Sequence, residues 1–254
     1  LVQILSKEVS MPSSGAAPKK ERRYIAPYYT YAAALAVLFL FSVVLFGFFF
    51  GQGEETPVRK IMPPPPYFAT ESSRTLAIRE QDRTLFMRLM SDSAREFEQT
   101  GTLKRIVIKI DRNGKEVFGQ TSDFFNLYRI TPVGELSTLL ESPSMPFFFY
   151  TGREARFGFA ARVQNPDRVL RDFIQWEPLL PIAFRPFFFD EKPEGLIAPF
   201  QDRSYRNIDW RYIKLSEEED LGIGYALFPA KNLLVVTTSK ETMETVINRL
   251  FENR

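Results

Sequence analysis

The feature that most constrains this chain is a long stretch without charge, from Tyr24 to Gly53. Its centre, Tyr31–Phe50, is apolar almost throughout. A helix of roughly 20 apolar residues crosses a hydrocarbon core of about 30 Å, and in lipid only a helix satisfies the backbone of such a segment. Tyrosines at one end are typical of a membrane interface. The sequence therefore predicts a transmembrane helix over residues 24–51.

Two alternatives to a membrane anchor are a buried core helix and a cleaved signal peptide. Helices of soluble proteins are rarely apolar on every face over this length. A signal peptide has a shorter apolar region, of about 7–15 residues, followed by small residues at its cleavage site. Because this run is longer and ends in Phe48–Phe50, an uncleaved anchor is favoured.

The orientation of the anchor follows from the basic residues on its two sides. Lys19, Lys20 and the pair Arg22–Arg23 lie directly before the apolar run, whereas Arg59–Lys60 lies farther from it on the other side. Positive charge favours the cytoplasmic side. We therefore expect residues 1–23 to be a basic cytoplasmic tail and the residues after 51 to lie outside the plasma membrane.

Residues 52–66 separate the apolar run from the rest of the chain. They end in four consecutive prolines, Pro63–Pro66, which favour the extended polyproline II conformation of a semi-rigid spacer. We interpret the segment as a stalk, with a ligand for a proline-binding domain as the alternative. Residues 67–254 then form an extracytoplasmic domain.

The overall charge balance gives no electrostatic reason to bind nucleic acid. The chain has 33 Lys and Arg against 31 Asp and Glu, a formal net charge of +2. The basic excess is concentrated before residue 24, and a nearly neutral body does not attract a polyanion. The expected partners are the lipid bilayer and an envelope protein or surface polymer, with no nucleic acid.

For this domain the sequence predicts a first helix over Arg79–Thr100, followed by pairs of strands separated by helices. This order predicts an α+β fold, an antiparallel sheet with helices packed on one face. An Asn113–Gly114 turn indicates the first hairpin. The predicted strands are Leu103–Ile110, Pro146–Tyr150, Arg156–Val163, Asn207–Leu215, Leu221–Phe228 and Asn232–Thr238.

Three further helices are predicted from apolar periodicity and capping residues. A short one follows Thr131–Pro132, and another begins at Asn165–Pro166 with its apolar residues Val169, Leu170, Phe173 and Ile174 facing inward. The last follows a capping box, Thr238–Glu241. We expect its apolar stripe to close the core against the last strand; the stripe comprises Met243, Val246, Ile247, Leu250 and Phe251.

The chain contains no histidine and no cysteine. This excludes disulfides, Cys- or His-ligated metals, thiol nucleophiles and every catalytic dyad or triad with a histidine base. The acidic run Glu217–Asp220 lacks the alternating ligand spacing of a calcium or magnesium loop, so a solvated turn is favoured. Gly222 and Gly224 lack a dinucleotide motif and indicate close packing or a bulge. We predict no catalytic residue, no metal and no cofactor.

Six residues are candidates for an interaction site. Trp176 lies off the predicted inward stripe of its helix, although it also suits a role in covering the helix end beside Pro178 and Pro181. The other five combine aromatic side chains with arginine, a composition enriched at binding hot spots. An amphipathic strand with one solvent-exposed face explains the same residues equally well. They are Tyr205, Arg206, Trp210, Arg211 and Tyr212.

Four segments carry a resemblance to a known group of proteins: Trp176–Leu180, Asn207–Arg211, Tyr225–Phe228 and Asn232–Leu250. With them, the chain resembles a family of uncharacterised single-pass membrane proteins of candidate-phyla, Parcubacteria-like bacteria. The resemblance covers roughly residues 67–254 and the anchor. It implies the same topology but brings no activity, cofactor or catalytic residue.

Two functions are compatible with these features. The first is a non-catalytic envelope protein whose anchored outer domain binds another protein or a surface polymer. The alternative is an envelope hydrolase that cleaves glycans with two carboxylates, a mechanism that needs neither histidine nor cysteine. Two carboxylates facing each other across a deep cleft would distinguish the second from the first.

Overall fold

A computed structural model describes residues 28–50, 62–96, 98–152, 154–189, 193 and 199–252. The chain divides into two compact units, Leu1–Lys60 and Ile61–Arg254, which are described separately below. The predicted basic tail, the start of the predicted anchor and most of the predicted stalk lie outside the described residues.

The described residues of the first unit form helix α1 (Tyr28–Phe50), whose side chains are described from Tyr31 to Phe46. All of these side chains are exposed. Within the residues whose side chains are described, no helix is both long enough and apolar enough to cross a membrane.

The second unit is an α+β domain. Its helices are α2 (Arg83–Arg95), α3 (Thr121–Tyr128), α4 (Leu136–Leu139), α5 (Pro166–Trp176), α6 (Leu180–Ala183) and α7 (Lys240–Glu252). Its strands are β1 (Ser72–Arg79), β2 (Leu103–Arg112), β3 (Lys115–Phe118), β4 (Met145–Tyr150), β5 (Ala155–Arg162), β6 (Gln201–Tyr205), β7 (Ile208–Lys214), β8 (Gly222–Phe228) and β9 (Leu233–Thr237).

All of these strands belong to one sheet in the order β1-β2-β4-β5-β9-β8-β7-β6, with β3 paired to β2. The hairpin at Asn113–Gly114 and the predicted strand pairs are confirmed. The prediction of a wholly antiparallel sheet is wrong at one edge, because β1 pairs with β2 in parallel. Helix α2 connects these two strands as a crossover, which parallel pairing requires.

The sheet is covered by helices on both faces, so the prediction of helices on one face is also wrong. Successive residues of a strand point to opposite faces, and β9 shows the division. Leu233 and Val235 pack with α7, whereas Leu234 and Val236 face the core beneath α2, α3 and α5. We call these two sides the α7 face and the aromatic face.

The aromatic face takes its name from a set of packed rings. The ring of Phe187 stacks on that of Phe157 at a centroid distance of 4.1 Å, and Phe124 stacks beside both. Phe187 lies in the segment after α6, where Phe187 and Phe188 are buried and Phe189 packs against the same core.

The first predicted helix is shorter than expected at both ends. Of its predicted N-terminal residues, Arg79 is the last residue of β1 and Glu80–Gln81 form a turn. Helix α2 begins at Arg83 because the Asp82 carboxylate accepts a hydrogen bond from the Leu85 amide at 3.0 Å. Helix α3 was not predicted, although its Gln120 amide donates to Asp123 at 2.8 Å in a capping arrangement. The short helix expected to begin at Thr131–Pro132 is α4, which begins at Leu136 instead.

Two of the four residues predicted to face inward from α5 are buried. Val169 and Phe173 are buried, but Leu170 and Ile174 are 38% and 46% exposed. Trp176 completes the buried stripe instead, at the spacing i, i+4, i+7 of one helix face. The cap at Asn165 is confirmed, since its side chain accepts a hydrogen bond from the Arg168 amide at 3.1 Å.

The closing helix α7 is confirmed as a core element. Met243, Val246, Ile247 and Leu250 are buried against β8 and β9, and Phe251 is half-buried. Its cap lies one residue later than predicted, because the Ser239 hydroxyl accepts from the Thr242 amide at 3.1 Å.

Close packing at Gly222 is also confirmed. A β-carbon at this position would lie 2.3 Å from the Ile213 carbonyl oxygen and 2.4 Å from the Tyr212 side chain. Gly222 therefore lets β7 and β8 approach where no larger residue fits.

Candidate interaction site

The six predicted interaction residues do not form one surface. Trp176 is 2% exposed and packs edge-on against Phe173, with ring centroids 5.6 Å apart. Trp210 and Tyr212 are also buried, but on the α7 face. Tyr205, Arg206 and Arg211 are therefore the members of the set with accessible side chains.

Tyr205 and Arg206 lie at the tight turn between β6 and β7. Arg206 and Asn207 both have positive φ, 50° and 61°, the backbone that a two-residue type I′ hairpin turn requires. Arg206 donates to the Asn248 side chain of α7 at 2.9 Å, and Asn248 donates to the Tyr205 hydroxyl at 3.3 Å. The Arg206 guanidinium also lies 4.8 Å from the centroid of the Phe251 ring. These contacts attach the hairpin turn to α7.

Arg211 is the centre of a hydrogen-bonded cluster on the aromatic face. It forms a bidentate pair with Glu177, one arm of which measures 3.1 Å, and a second ion pair with Asp202 at 2.5 Å. The buried Tyr225 hydroxyl donates to the same Glu177 carboxylate at 2.6 Å. The cluster therefore connects the C-terminus of α5 to β6, β7 and β8.

The electrostatics of this cluster agree with its geometry. The hydrogen bond to Glu177 raises the pKa of Arg211 above its ordinary value. Burial, and then the hydrogen bond to Glu177, raise the pKa of Tyr225. Both groups consequently act as donors to Glu177, whose carboxylate oxygens are occupied within the fold. The sequence indicated Arg211 as a candidate, but nothing local linked it to Glu177, Tyr225 or Asp202.

Several carboxylates of the described residues meet in pairs around a shared cation. Glu80 and Asp123 both bind Arg112, at 3.0 and 2.5 Å. Glu96 and Glu98 both bind Lys104, and Glu177 and Asp202 share Arg211 as described above. In these pairs the carboxylates face a cation, whereas a glycan-cleaving pair faces the scissile bond.

The acidic run has a structural use at its last residue. The Asp220 carboxylate accepts hydrogen bonds from the amides of Lys240 and Glu241, at 2.9 and 2.8 Å, and so caps α7 from outside the helix. Glu217 pairs with Lys214 at 3.0 Å. Across the described part of the chain, no group of three or more Asp and Glu residues has the arrangement of a metal site.

Four aliphatic side chains that the sequence did not predict to be exposed lie on α5, on α6 and between these two helices. In addition to Leu170 and Ile174 on α5, the side chains of Leu179 and Ile182 are exposed, at 50% and 73%. The exposure of Leu170 and Ile174 was not predicted, because α5 has more apolar residues than its buried stripe needs. Periodicity alone does not show which of these residues face the sheet.

Comparison with known proteins gives no relative: no family model, no curated protein and no solved structure matches the chain. The resemblance to single-pass membrane proteins stays a prediction. The fold therefore defines the class of the domain, an α+β protein with a mixed sheet, and its function has to be argued from its own residues.

Proposed function

We propose that this chain is a single-pass membrane protein whose α+β domain is a non-catalytic binding or scaffold module outside the plasma membrane. The observation that carries the proposal is the surface of α1. Between Tyr31 and Phe46 all side chains are exposed, and only Tyr31 and Ser42 carry polar groups. A helix that is apolar on all sides needs an apolar surrounding, and a bilayer supplies one.

The polar group in the middle of α1 is compatible with lipid. The Ser42 hydroxyl donates to the Phe39 carbonyl oxygen of its own helix at 2.9 Å. A hydroxyl satisfied in this way has no need of water. The basic residues before the helix, Lys19, Lys20, Arg22 and Arg23, favour an N-terminus in the cytoplasm and a domain outside.

The non-catalytic part of the proposal rests on the chemistry of the side chains. The chain has no histidine and no cysteine, and the paired carboxylates described above are engaged by cations. The partner classes we propose are the lipid bilayer and an envelope protein or surface polymer.

The topology is tested with single-cysteine variants, which are straightforward because the natural chain has no cysteine. Ser14→Cys labels the tail, and Ser137→Cys labels an exposed position of α4. In cells with a permeabilised outer layer, a membrane-impermeant maleimide should modify residue 137 at once and residue 14 only after lysis. The opposite pattern, or protection of both residues until lysis, would overturn the topology.

The non-catalytic part is tested with the purified full chain in detergent. Incubation with isolated cell-wall polymer should release no new reducing ends. We expect instead that the chain sediments together with the polymer or captures an envelope protein. Release of reducing ends that is lost on carboxylate-to-amide substitution would establish the hydrolase instead.

A further inference from the structure

A cavity of about 610 Å³ opens where the chain enters the domain. One wall is the end of the proline run with Tyr67, and the opposite walls come from Glu141, Arg162 at the end of β5, and Lys231–Asn232 between β8 and β9. The volume lies within the usual range of small-molecule pockets, about 300–1,000 Å³.

The walls of the cavity are held by hydrogen bonds between these segments. The Tyr67 hydroxyl donates to the Pro143 carbonyl oxygen at 2.6 Å. The Glu141 amide donates to the Arg162 carbonyl oxygen, and the Val163 amide to that of Asn232, both at 2.8 Å. The site is therefore formed before any ligand arrives, which lowers the entropic cost of binding.

The cavity carries more positive than negative charge. Arg162 and Lys231 face the single carboxylate of Glu141, and neither cation forms an ion pair with any residue in the described part of the chain. The Arg162 guanidinium lies 5.9 Å from the centroid of the Tyr67 ring, a cation–π contact that positions it. Two cations in a preformed concave site favour an anionic ligand.

We propose that this cavity binds a phosphorylated polyol. Arg162 and Lys231 hold the phosphate, because a guanidinium fork matches phosphate oxygens and a lysine adds a mobile point charge. Glu141 and the Asn232 amide face the hydroxyl groups, for which a carboxylate and an amide are suitable partners. The volume is much larger than a bare anion needs, which favours a ligand with a polyol part.

The ligand has two possible sources with the same chemistry, a free or polymeric glycerol phosphate and the headgroup of phosphatidylglycerol. The lipid source rests on the proposed membrane anchor. Residues 51–63 separate α1 from Pro64, and a chain of that length reaches at most about 45 Å. A chain anchored through α1 would stay at a membrane, where such headgroups are available.

The test measures binding of glycerol 3-phosphate to the full chain in neutral detergent by titration calorimetry, so that it does not depend on the anchor. We expect saturable binding that weakens at least tenfold in Arg162→Gln and in Lys231→Gln. Arg88→Gln, an exposed arginine of α2, is the matched control and should bind like the natural chain. Fluorescence of the two buried tryptophans verifies that each variant is folded.

Three results would overturn the site: no saturable binding, unchanged binding in both cavity variants, or equally tight binding of glycerate, which carries a carboxylate in place of phosphate. The source is identified in nanodiscs. If phosphatidylglycerol raises the apparent Kd for glycerol 3-phosphate at least fivefold relative to phosphatidylserine, which gives the bilayer a similar negative charge, the site takes a lipid headgroup. An unchanged Kd supports the site with a free or polymeric ligand.

Discussion

The hydroxyl of Tyr225 and the carboxylate of Glu177 lie 2.6 Å apart and join strand β8 to the end of α5. Tyr225 is buried at 1% exposure, and Glu177 is paired at the same time with Arg211. One carboxylate thus satisfies a buried hydroxyl and a guanidinium. Its removal leaves both donors without their main acceptor.

Glu177→Ala should destabilise the domain by about 3 kcal/mol, because a buried hydroxyl and a half-buried cation lose their partner together. Tyr225→Phe should cost about 1–2 kcal/mol, since Glu177 keeps Arg211. Urea unfolding of the full chain in detergent, followed by tryptophan fluorescence, measures both. Both tryptophans lie in the domain, so the signal reports on it alone. Equal stability of Glu177→Ala and the exposed-site control Glu218→Ala would contradict this role.

Stability should fall as the pH rises above about 10, the ordinary pKa of tyrosine. Burial raises the pKa of Tyr128, Tyr212 and Tyr225 in the folded domain. Above that pH the unfolded chain loses these protons while the folded domain keeps them, which favours unfolding. The stability contributed by these groups is fully present below about pH 10.

Urea unfolding between pH 8 and pH 11.5 checks this dependence. The decline should be shallower in Tyr225→Phe, which removes one of the raised groups. A free energy of unfolding that does not change over the range would show that these tyrosines ionise alike in both states.

Much of this fold could be predicted because strong local signals determine it. The Asn113–Gly114 hairpin, the Asn165 cap and the apolar stripe of α7 depend on neighbours in the sequence, and the structure has all three. Strand β1 could not be predicted in the same way. It is an edge strand, and its parallel pairing with β2 depends on the crossover through α2.

The predicted site shows the limit of composition as a guide. Trp210 and Tyr212 have residue types common at interfaces, yet alternation along β7 places both on the buried α7 face and leaves Arg211 between them on the other side. These two side chains are buried because α7, which comes from a distant part of the sequence, covers that face. The cavity beside Tyr67 was missed for a similar reason, since its walls come from four separate segments.

Asp220 should matter to stability although it belongs to an exposed acidic run. Asp220→Ala removes the acceptor of two amides at the start of α7 and should cost about 1–2 kcal/mol. Glu218→Ala, two residues away and exposed, should change the unfolding free energy by less than about 0.5 kcal/mol. If the two variants unfold alike, Asp220 does not cap the helix in solution.

The orientation of α5 can be tested with two neighbouring residues. Phe173→Ala should cost about 3–5 kcal/mol because the ring is buried against Trp176 and Tyr225. Ile174→Ala should change stability by less than about 0.5 kcal/mol, since its side chain is exposed. Thermal melting in detergent compares them, and a loss for Ile174→Ala comparable to that for Phe173→Ala would support the inward face predicted from sequence.

Alkaline extraction of membranes tests most directly whether α1 anchors this chain in a bilayer. The natural chain should stay in the membrane pellet after a carbonate wash. The double variant Leu38→Arg, Phe41→Arg should be extracted, because each arginine at the centre of a spanning helix costs about 2.5–3.5 kcal/mol. A control with two arginines on exposed domain positions, Ser122→Arg and Ser137→Arg, should remain in the pellet. Release of the natural chain by the wash would contradict the anchor.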